Sequence, residues 1–316
     1  MIREVDQLDA IRNGYGEGIE RAAREDRDVI AIDADLAEST RSLRVRKVDP
    51  KRFFYAGICE QNMIGVAAGL ALEGKKVFAS SFAIFVTGRP FEQIRHAVCY
   101  NNVPVKIVGS HAGIHTGEDG ASAQATEDIG AMRTLPNMNI IVPADSIEAR
   151  EATLFLKDFR EPCYMRTNRN PTPLIYREGY RFEFGKGVLL REGKDAAIIA
   201  CGALVAESLK AARLLEKEGI DTRVINMHTI KPIDKDIILK AARETKAIIT
   251  AEDHQIVGGL GSAVSEVLAE NGAGTKLTRI GLKGHFGESG ESHELYKKYG
   301  LDAEGIVRAV KESLKK

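Results

Sequence analysis

The sequence predicts an α/β protein of two domains, each a mostly parallel sheet with helices on both faces. Three observations carry this reading. Short, near-continuous apolar runs such as VIAIDADL (29–36) and AAIIAC (196–201) read as strands buried on both faces. These runs alternate with helical stretches, the pattern of parallel strands joined by crossovers. The alternation breaks once, at 168–190, where NRNPTPLIYREGYRFEFGKG brings prolines and charge. That segment divides a first domain, 1–167, from a second, 191–316, and the 316 residues suffice for two domains of ordinary size.

Taken in order, residues 6–25 predict a helix carrying Arg12. Its Gly14, Gly16 and Gly18 weaken it and predict a closely packed neighbour. The strand 29–36 follows, then AEST and the basic RSLRVRKVDPKR (41–52) as a surface connection. FFYAGI (53–58) is a second strand leading into a helix at 60–73, whose Gly65, Ala67, Ala68, Gly69 and Ala71 allow close backbone approach. KVFASS (76–81) is a strand. RPFEQIRHAVCYNN (89–102) is a helix with Pro90 in its first turn, where a missing N–H costs nothing. VPVKIVGS (103–110) is a strand, followed by a polar, glycine-rich loop, HAGIHTGEDGASAQATED (111–128). A short helix and a strand (129–145), an amphipathic helix (146–159) and a strand (162–167) complete this half. The linker 168–190 is read with an edge hairpin. The second half predicts strands at 196–201, 221–227, 247–253 and 276–282, with helices at 203–218, 234–244, 261–271 and 302–315.

Lys plus Arg and Asp plus Glu both total 45, so no basic field gathers nucleic acid or anionic lipid. Cys59, Cys99, Cys163 and Cys201 stand far apart, in neither a disulfide framework nor a zinc spacing, which fits a reducing compartment. The N-terminus, MIREVDQLDA, is too polar for a signal peptide, and no apolar run is long enough to span a bilayer. A cytoplasmic protein is expected.

No G-x-x-x-x-G-K-[ST], G-x-S-x-G or H-E-x-x-H occurs. GGLGSAV (258–264) could present N–H groups to a phosphate, but it does not complete G-x-G-x-x-G, and close strand–helix packing is the favoured reading. The loop 111–128 follows a strand's carboxyl end, where ligands gather in open α/β sheets, and holds His111, His115, Glu118 and Asp119. Glu60 opens a small-residue helix, and a buried ionised carboxylate needs a partner. With Phe82 and Phe85 some 20 residues on, the stretch 54–94 reads as a pocket for a heterocycle.

VFASSFAIFVTGRPFEQIR, the HxGIxxGEDG loop and LPNMNIIVPAD together resemble the C-terminal half of transketolase. The resemblance runs over essentially the whole chain, from AIRNGYGEGI to LDAEGI. It implies a pyrimidine-binding domain followed by a transketolase C-terminal domain, and thiamine diphosphate as cofactor. The family's diphosphate domain, with Gly-Asp-Gly and a ligand Asn for magnesium, has no match here. The resemblance therefore implies a split enzyme. The Mg2+ ligands are expected on a separate N-terminal subunit, and none on this chain.

By the same resemblance, Glu60 bonds the pyrimidine ring nitrogen and favours the imino tautomer, with Ile58, Phe82 and Phe85 around the ring and Asp35 near the cofactor. Ser39, Arg12 and one of Arg166 or Arg169 would bind the sugar phosphate, while His111 and Asp119 would contact substrate hydroxyls. Ala123, in GASAQ, stands where transketolases usually have a second histidine, and His115 is the expected substitute. The activity implied is transfer of a two-carbon ketol unit from a ketose phosphate to an aldose phosphate, as in the pentose phosphate pathway. The alternatives are half of a deoxyxylulose-phosphate synthase, a 2-oxo-acid dehydrogenase beta subunit, or a non-catalytic scaffold. Alone, the chain is expected to be folded, inert and dimeric, with the loop 111–128 mobile. With its partner it would form a heterotetramer.

Overall fold

The computed structural model describes residues 7–315. Their apolar runs build two sheets. The first has seven strands in the order Thr229–Lys231, Asn139–Ile141, Cys163–Arg166, Lys106–Ser110, Lys76–Phe82, Val29–Asp33 and Phe53–Tyr55. All pair in parallel except Thr229–Lys231. The second has five, Lys276–Leu282, Ala247–Gln255, Ala196–Ala200, Thr222–Asn226 and Val188–Arg191, antiparallel only at the last. Helices flank both sheets, and this is the two-domain α/β architecture the sequence predicts. Every residue of Val29–Asp33, Lys106–Ser110 and Ala196–Ala200 is buried, which is why these strands are mainly apolar.

The three early glycines mark a close approach. A Cβ on Gly14 would lie 1.8 Å from the Ser146 carbonyl oxygen, and one on Gly18 would lie 2.6 Å from Thr153 Cβ. Helix Ile11–Glu25 thus packs almost backbone to backbone on helix Ser146–Asp158.

Several expectations are corrected. The first helix begins at Ile11, because Leu8–Ala10 pairs antiparallel with Pro171–Pro173. No hairpin forms within 168–190. Its first half takes that pairing, and Val188–Arg191 becomes an edge strand of the second sheet. The basic stretch 41–52 includes helix Arg44–Val48, with Val45 buried, rather than a bare connection. Helix Ala83–Gly88 was not anticipated, and 89–102 folds as a turn, Phe91–Gln93, continuing into a π-helix, Ile94–Tyr100. Pro90 precedes that turn instead of lying in it. Helix Ser292–Tyr299 was also missed.

The two halves share a core. Ile32, Met63 and Ile107 of the first domain belong to the same buried cluster as Ala197, Ile225 and Leu260 of the second. Strand Thr229–Lys231 crosses over to complete the first sheet. A buried polar knot adds to the junction. Glu148 accepts from Ala144 N at 2.7 Å, Tyr180 Oη at 2.7 Å and Asn226 Nδ2 at 2.9 Å. Asp145 accepts from Ile175 N at 2.6 Å and Tyr176 N at 2.8 Å, which fixes the segment between the domains. Among the described residues no helix is long and apolar enough to cross a membrane. The four cysteines are free, and Cys59 alone is exposed.

Candidate active site

Four neighbouring strands of the first sheet, Phe53–Tyr55, Val29–Asp33, Lys76–Phe82 and Lys106–Ser110, end along one carboxyl edge. Ile58 and Glu60 follow the first, Asp35 and Ser39 the second, Phe82 and Phe85 the third, and His111 the fourth. Of the five described non-glycine residues with left-handed backbone, three lie here: Asp35 (φ 66°), Arg41 (φ 73°) and His111 (φ 58°). Strain of this kind persists where surrounding contacts hold it, and it gathers at functional sites.

Glu60 is the first residue of helix Glu60–Leu72, and its side chain is only 3 % exposed. Its carboxylate accepts from Arg89 Nη1 at 2.7 Å. The Arg89 guanidinium lies over the Phe85 ring, 4.1 Å from its centroid. Phe85 in turn stacks on Phe82 at 5.8 Å and 13°. Beside Glu60, an open cleft of about 650 Å³ is lined by Ile58, Cys59, Gln61, Asn62 and Arg89. A buried carboxylate, two near-parallel aromatic rings and an adjoining cleft suit a flat heterocycle with a ring nitrogen facing the acid.

The chain of rings continues to His111, which stacks on Phe82 at 3.8 Å and 18°. His111 Nδ1 meets Ser110 Oγ at 2.9 Å, and its Nε2 faces Arg12 Nη1 at 3.4 Å. Burial, then the charges of Arg12, Arg169 and Arg41, push its pKa down to about 3. The imidazole is therefore neutral at physiological pH, suited to hydrogen-bonding hydroxyls rather than to donating a proton as an acid. Arg12 donates to the Ser39 carbonyl oxygen at 2.9 Å, while its buried Nε has no partner. Burial and the neighbouring Arg41 and Arg169 lower even its pKa, to about 10. Arg12 against the neutral imidazole, with the charges of Arg41 and Arg169 felt there, makes a focus for an anion.

Asp119 and Arg169 meet. Arg169 Nη1 lies 2.8 Å from Glu118, 3.2 Å from Asp119 and 3.1 Å from the Thr116 carbonyl oxygen. Of the two arginines considered for the sugar phosphate, Arg166 does not join them and is bonded internally. It is 7 % exposed, with Nε on Asp128 at 2.8 Å and Nη2 on the carbonyl oxygens of Ala125 and Asp253 at 3.0 and 2.8 Å. Burial opposes both charges, yet their attraction outweighs it, holding Asp128 below the usual carboxylate range and Arg166 above the guanidinium range.

The polar, glycine-rich loop 111–128 is largely buried in its first half. His111 to Gly117 are all buried, and Asp253 of the second domain accepts from Ile114 N at 2.9 Å and His115 N at 3.0 Å. The expected mobility is at odds with those bonds. His115, expected to substitute for the histidine absent at Ala123, faces the second domain. Its ring lies against Tyr296 at 5.2 Å, its Nδ1 faces Asn168 Nδ2 at 3.2 Å, and it lines a cleft of about 240 Å³ between the domains. GGLGSAV is also closed to a phosphate. Glu252 accepts from Leu260 N at 2.7 Å and Gly261 N at 2.8 Å, and a Cβ on Gly259 would lie 1.9 Å from its Oε2.

Sequence reasoning missed Asp33, Arg41 and Arg89. Asp33 accepts from Leu36 N at 2.7 Å, Thr40 Oγ1 at 2.7 Å and Ser42 Oγ at 2.8 Å, and so shapes the turn that carries Asp35 and Ser39. Burial raises its pKa to about 6. The signal was present in the paired acids of IDAD. Arg41, which donates to Asn13 Oδ1 at 2.9 Å, was one cation among many in a basic stretch.

Comparison with known proteins agrees with this geometry. Residues 9–173 match the family model of the transketolase pyrimidine-binding domain, and 185–306 match that of the transketolase C-terminal domain. A protein of Methanocaldococcus jannaschii, named provisionally as a transketolase C-terminal section, is 47 % identical over 97 % of this chain and 96 % of its own length. A 6-deoxy-6-sulfo-D-fructose transketolase subunit of a Clostridium species is 40 % identical over 96 % of this chain and 94 % of its own. A solved structure described as a split-gene transketolase, an inactive beta4 tetramer, is 44 % identical, with a TM-score of 0.90 over 96 % of this chain and 98 % of that one. The chain belongs to the thiamine-diphosphate-dependent transketolase family, of which it carries the pyrimidine-binding and C-terminal domains as a split subunit.

Proposed function

We propose that this chain is the C-terminal subunit of a split transketolase that moves a two-carbon ketol unit from a ketose phosphate to an aldose phosphate once paired with an N-terminal subunit. The observation that carries the reading is the buried Glu60 carboxylate beside the stacked Phe82 and Phe85. When bound, thiamine diphosphate supplies the nucleophilic carbon that accepts the ketol unit. Glu60 shares a proton with the pyrimidine ring nitrogen, and Phe82, Phe85 and Ile58 hold the ring. Asp35, exposed at its strand end, lies toward the cofactor. His111, neutral and fixed by Ser110, orients substrate hydroxyls together with Asp119. Arg12, Arg169 and Ser39 receive the sugar's terminal anion, and Arg41 adds to their field. Mg2+ and the diphosphate belong to the partner's Gly-Asp-Gly domain.

Phe54, Tyr55 and Ile58 before the Glu60 helix and Val66 and Leu72 on it are exposed, and nothing lies within 4 Å of a Cβ placed on Gly65 or Gly69. Such an apolar face with small residues fits coverage by a second copy within a heterotetramer. The test is to mix the chain with its N-terminal subunit, magnesium and cofactor. Ketol transfer from xylulose 5-phosphate supports the reading. Decarboxylation of pyruvate instead would place the chain with deoxyxylulose-phosphate synthase or the 2-oxo-acid dehydrogenases, and neither reaction would leave a scaffold.

A further inference from the structure

Glu60 and Arg89 form an ion pair whose two sides differ sharply. The Glu60 side chain is 3 % exposed and that of Arg89 47 %. Among the described residues the carboxylate has one hydrogen-bond donor, Arg89 Nη1 at 2.7 Å. The Arg89 backbone is fixed, its N–H on the Phe85 carbonyl oxygen at 3.1 Å and its own carbonyl oxygen receiving Gln61 Nε2 at 3.3 Å. Among the described residues its guanidinium has the Glu60 oxygen and the Phe85 face as its contacts. Arg166, by contrast, is enclosed and bonded to three acceptor groups.

Two requirements meet at Glu60 and conflict. An ionised buried carboxylate needs a counter-charge, since leaving it unpaired is strongly destabilising. A ring nitrogen bonded to the same carboxylate, with its ring against Phe85, needs the place that the Arg89 guanidinium holds. Arg89 already touches the two groups assigned to the heterocycle, the carboxylate of Glu60 and the ring of Phe85. It also borders the cleft, and a Cβ placed on the neighbouring Gly88 would meet nothing within 4 Å.

We propose that Arg89 is a positioning residue acting as a displaceable counter-ion: it holds the Glu60 carboxylate in place until the aminopyrimidine supplants it between Glu60 and Phe85. The inference rests on the assignment of Glu60 to that ring. It makes Arg89 a competitor of the cofactor, whereas a permanent orienting contact would make it an ally.

Thiamine diphosphate is titrated calorimetrically into the reconstituted two-subunit complex bearing wild-type chain, Arg89→Met, Arg89→Lys or Glu60→Gln. Thermal unfolding of the isolated chain is followed in parallel. Removing the competitor should tighten cofactor binding about tenfold in Arg89→Met, equivalent to ~1.4 kcal/mol, with Arg89→Lys in between. The isolated Arg89→Met chain should melt lower, and adding Glu60→Gln should restore its melting point by removing the orphaned charge. Weaker or unchanged cofactor binding in Arg89→Met overturns the proposal, as does a melting point that Glu60→Gln fails to restore. Failure of the underlying site assignment looks different: Glu60→Gln would then leave cofactor binding and turnover as in wild type, while the melting data would still report on the ion pair.

Discussion

The two sheets of this protein end in carboxyl edges built alike and used differently. Along the second sheet, the carboxylates at the strand ends are bonded internally. Glu252 accepts the free N–H groups of helix Leu260–Glu270, Asn226 donates to Glu148, and Asp253 holds the loop 111–128 and Tyr296. Along the first sheet, Arg12 keeps a buried Nε without a partner, Glu60 has a single half-exposed counter-ion, and His111 sits strained among three arginines. Ligands favour the carboxyl edge of a parallel sheet. Here that rule selects two places, and the bonding of their carboxylates separates them: the open edge is the candidate site, the closed one a fastening. The closed edge also serves the open one, because Asp253 and the carbonyl oxygens around Arg166 pin the loop that carries His111.

If this division is right, changes on the two edges fail in different ways. The largest effect belongs to Arg166→Gln, which strands Asp128 as an unpaired buried charge. Chemical denaturation should show a loss of about 3–5 kcal/mol. Next, Glu252→Ala leaves the N–H groups of Leu260 and Gly261 without acceptors and should cost about 2–4 kcal/mol. The KM for sugar phosphate in the reconstituted complex should stay unchanged at temperatures where that variant remains folded. A shifted KM would show that the second edge takes part in binding.

The third prediction concerns acid. Burial pushes His115 down to about 4 from an ordinary 6.5. The unfolded chain therefore takes up the proton first, and the stability this imidazole contributes is complete above pH 6.5 and lost as the pH falls toward about 4. Denaturation midpoints across that window should flatten in His115→Gln, by up to ~3 kcal/mol at the acid end. Turnover at neutral pH should be unaltered, since the ring faces Tyr296 and the interdomain cleft. The smallest effect is expected for Arg169→Gln on the open edge. Its KM for sugar phosphate should rise roughly 10–100-fold with the melting point unchanged, the loss of one charge-assisted contact of ~1.5–3 kcal/mol. Initial-rate kinetics beside a thermal scan checks both halves of that statement.

Much of this was legible in the residues. Strands buried on both faces announce themselves as runs of Val, Ile and Ala. Gly14 and Gly18 pointed to a packed neighbour because only a missing Cβ allows that approach. Glu60 stood out as a charge heading an otherwise small and apolar helix. What escaped has distant partners. Nothing in Thr229–Lys231 says that it pairs with Ile140 and Ile141 across the domain boundary. Arg166 and Arg169, three residues apart, look equivalent as letters, yet the strand end buries one against Asp128 and the following turn leaves the other at the surface. The same limit explains His115: its place in the loop suggested substitution for the residue at Ala123, but the bonds from Asp253 turn that part of the loop toward the second domain. Arg89 carried no local signal at all, since its meaning comes from Glu60, 29 residues earlier.

The account stands on Glu60 as the group that engages the cofactor at the open edge. The most direct measurement is ketol transfer by the reconstituted complex carrying Glu60→Gln, at saturating cofactor, with folding verified by an unchanged melting transition of the complex. The account predicts a fall in kcat of about 10²–10⁴-fold, the range for a lost proton-transfer group. A folded Glu60→Gln complex turning over at the wild-type rate would contradict it.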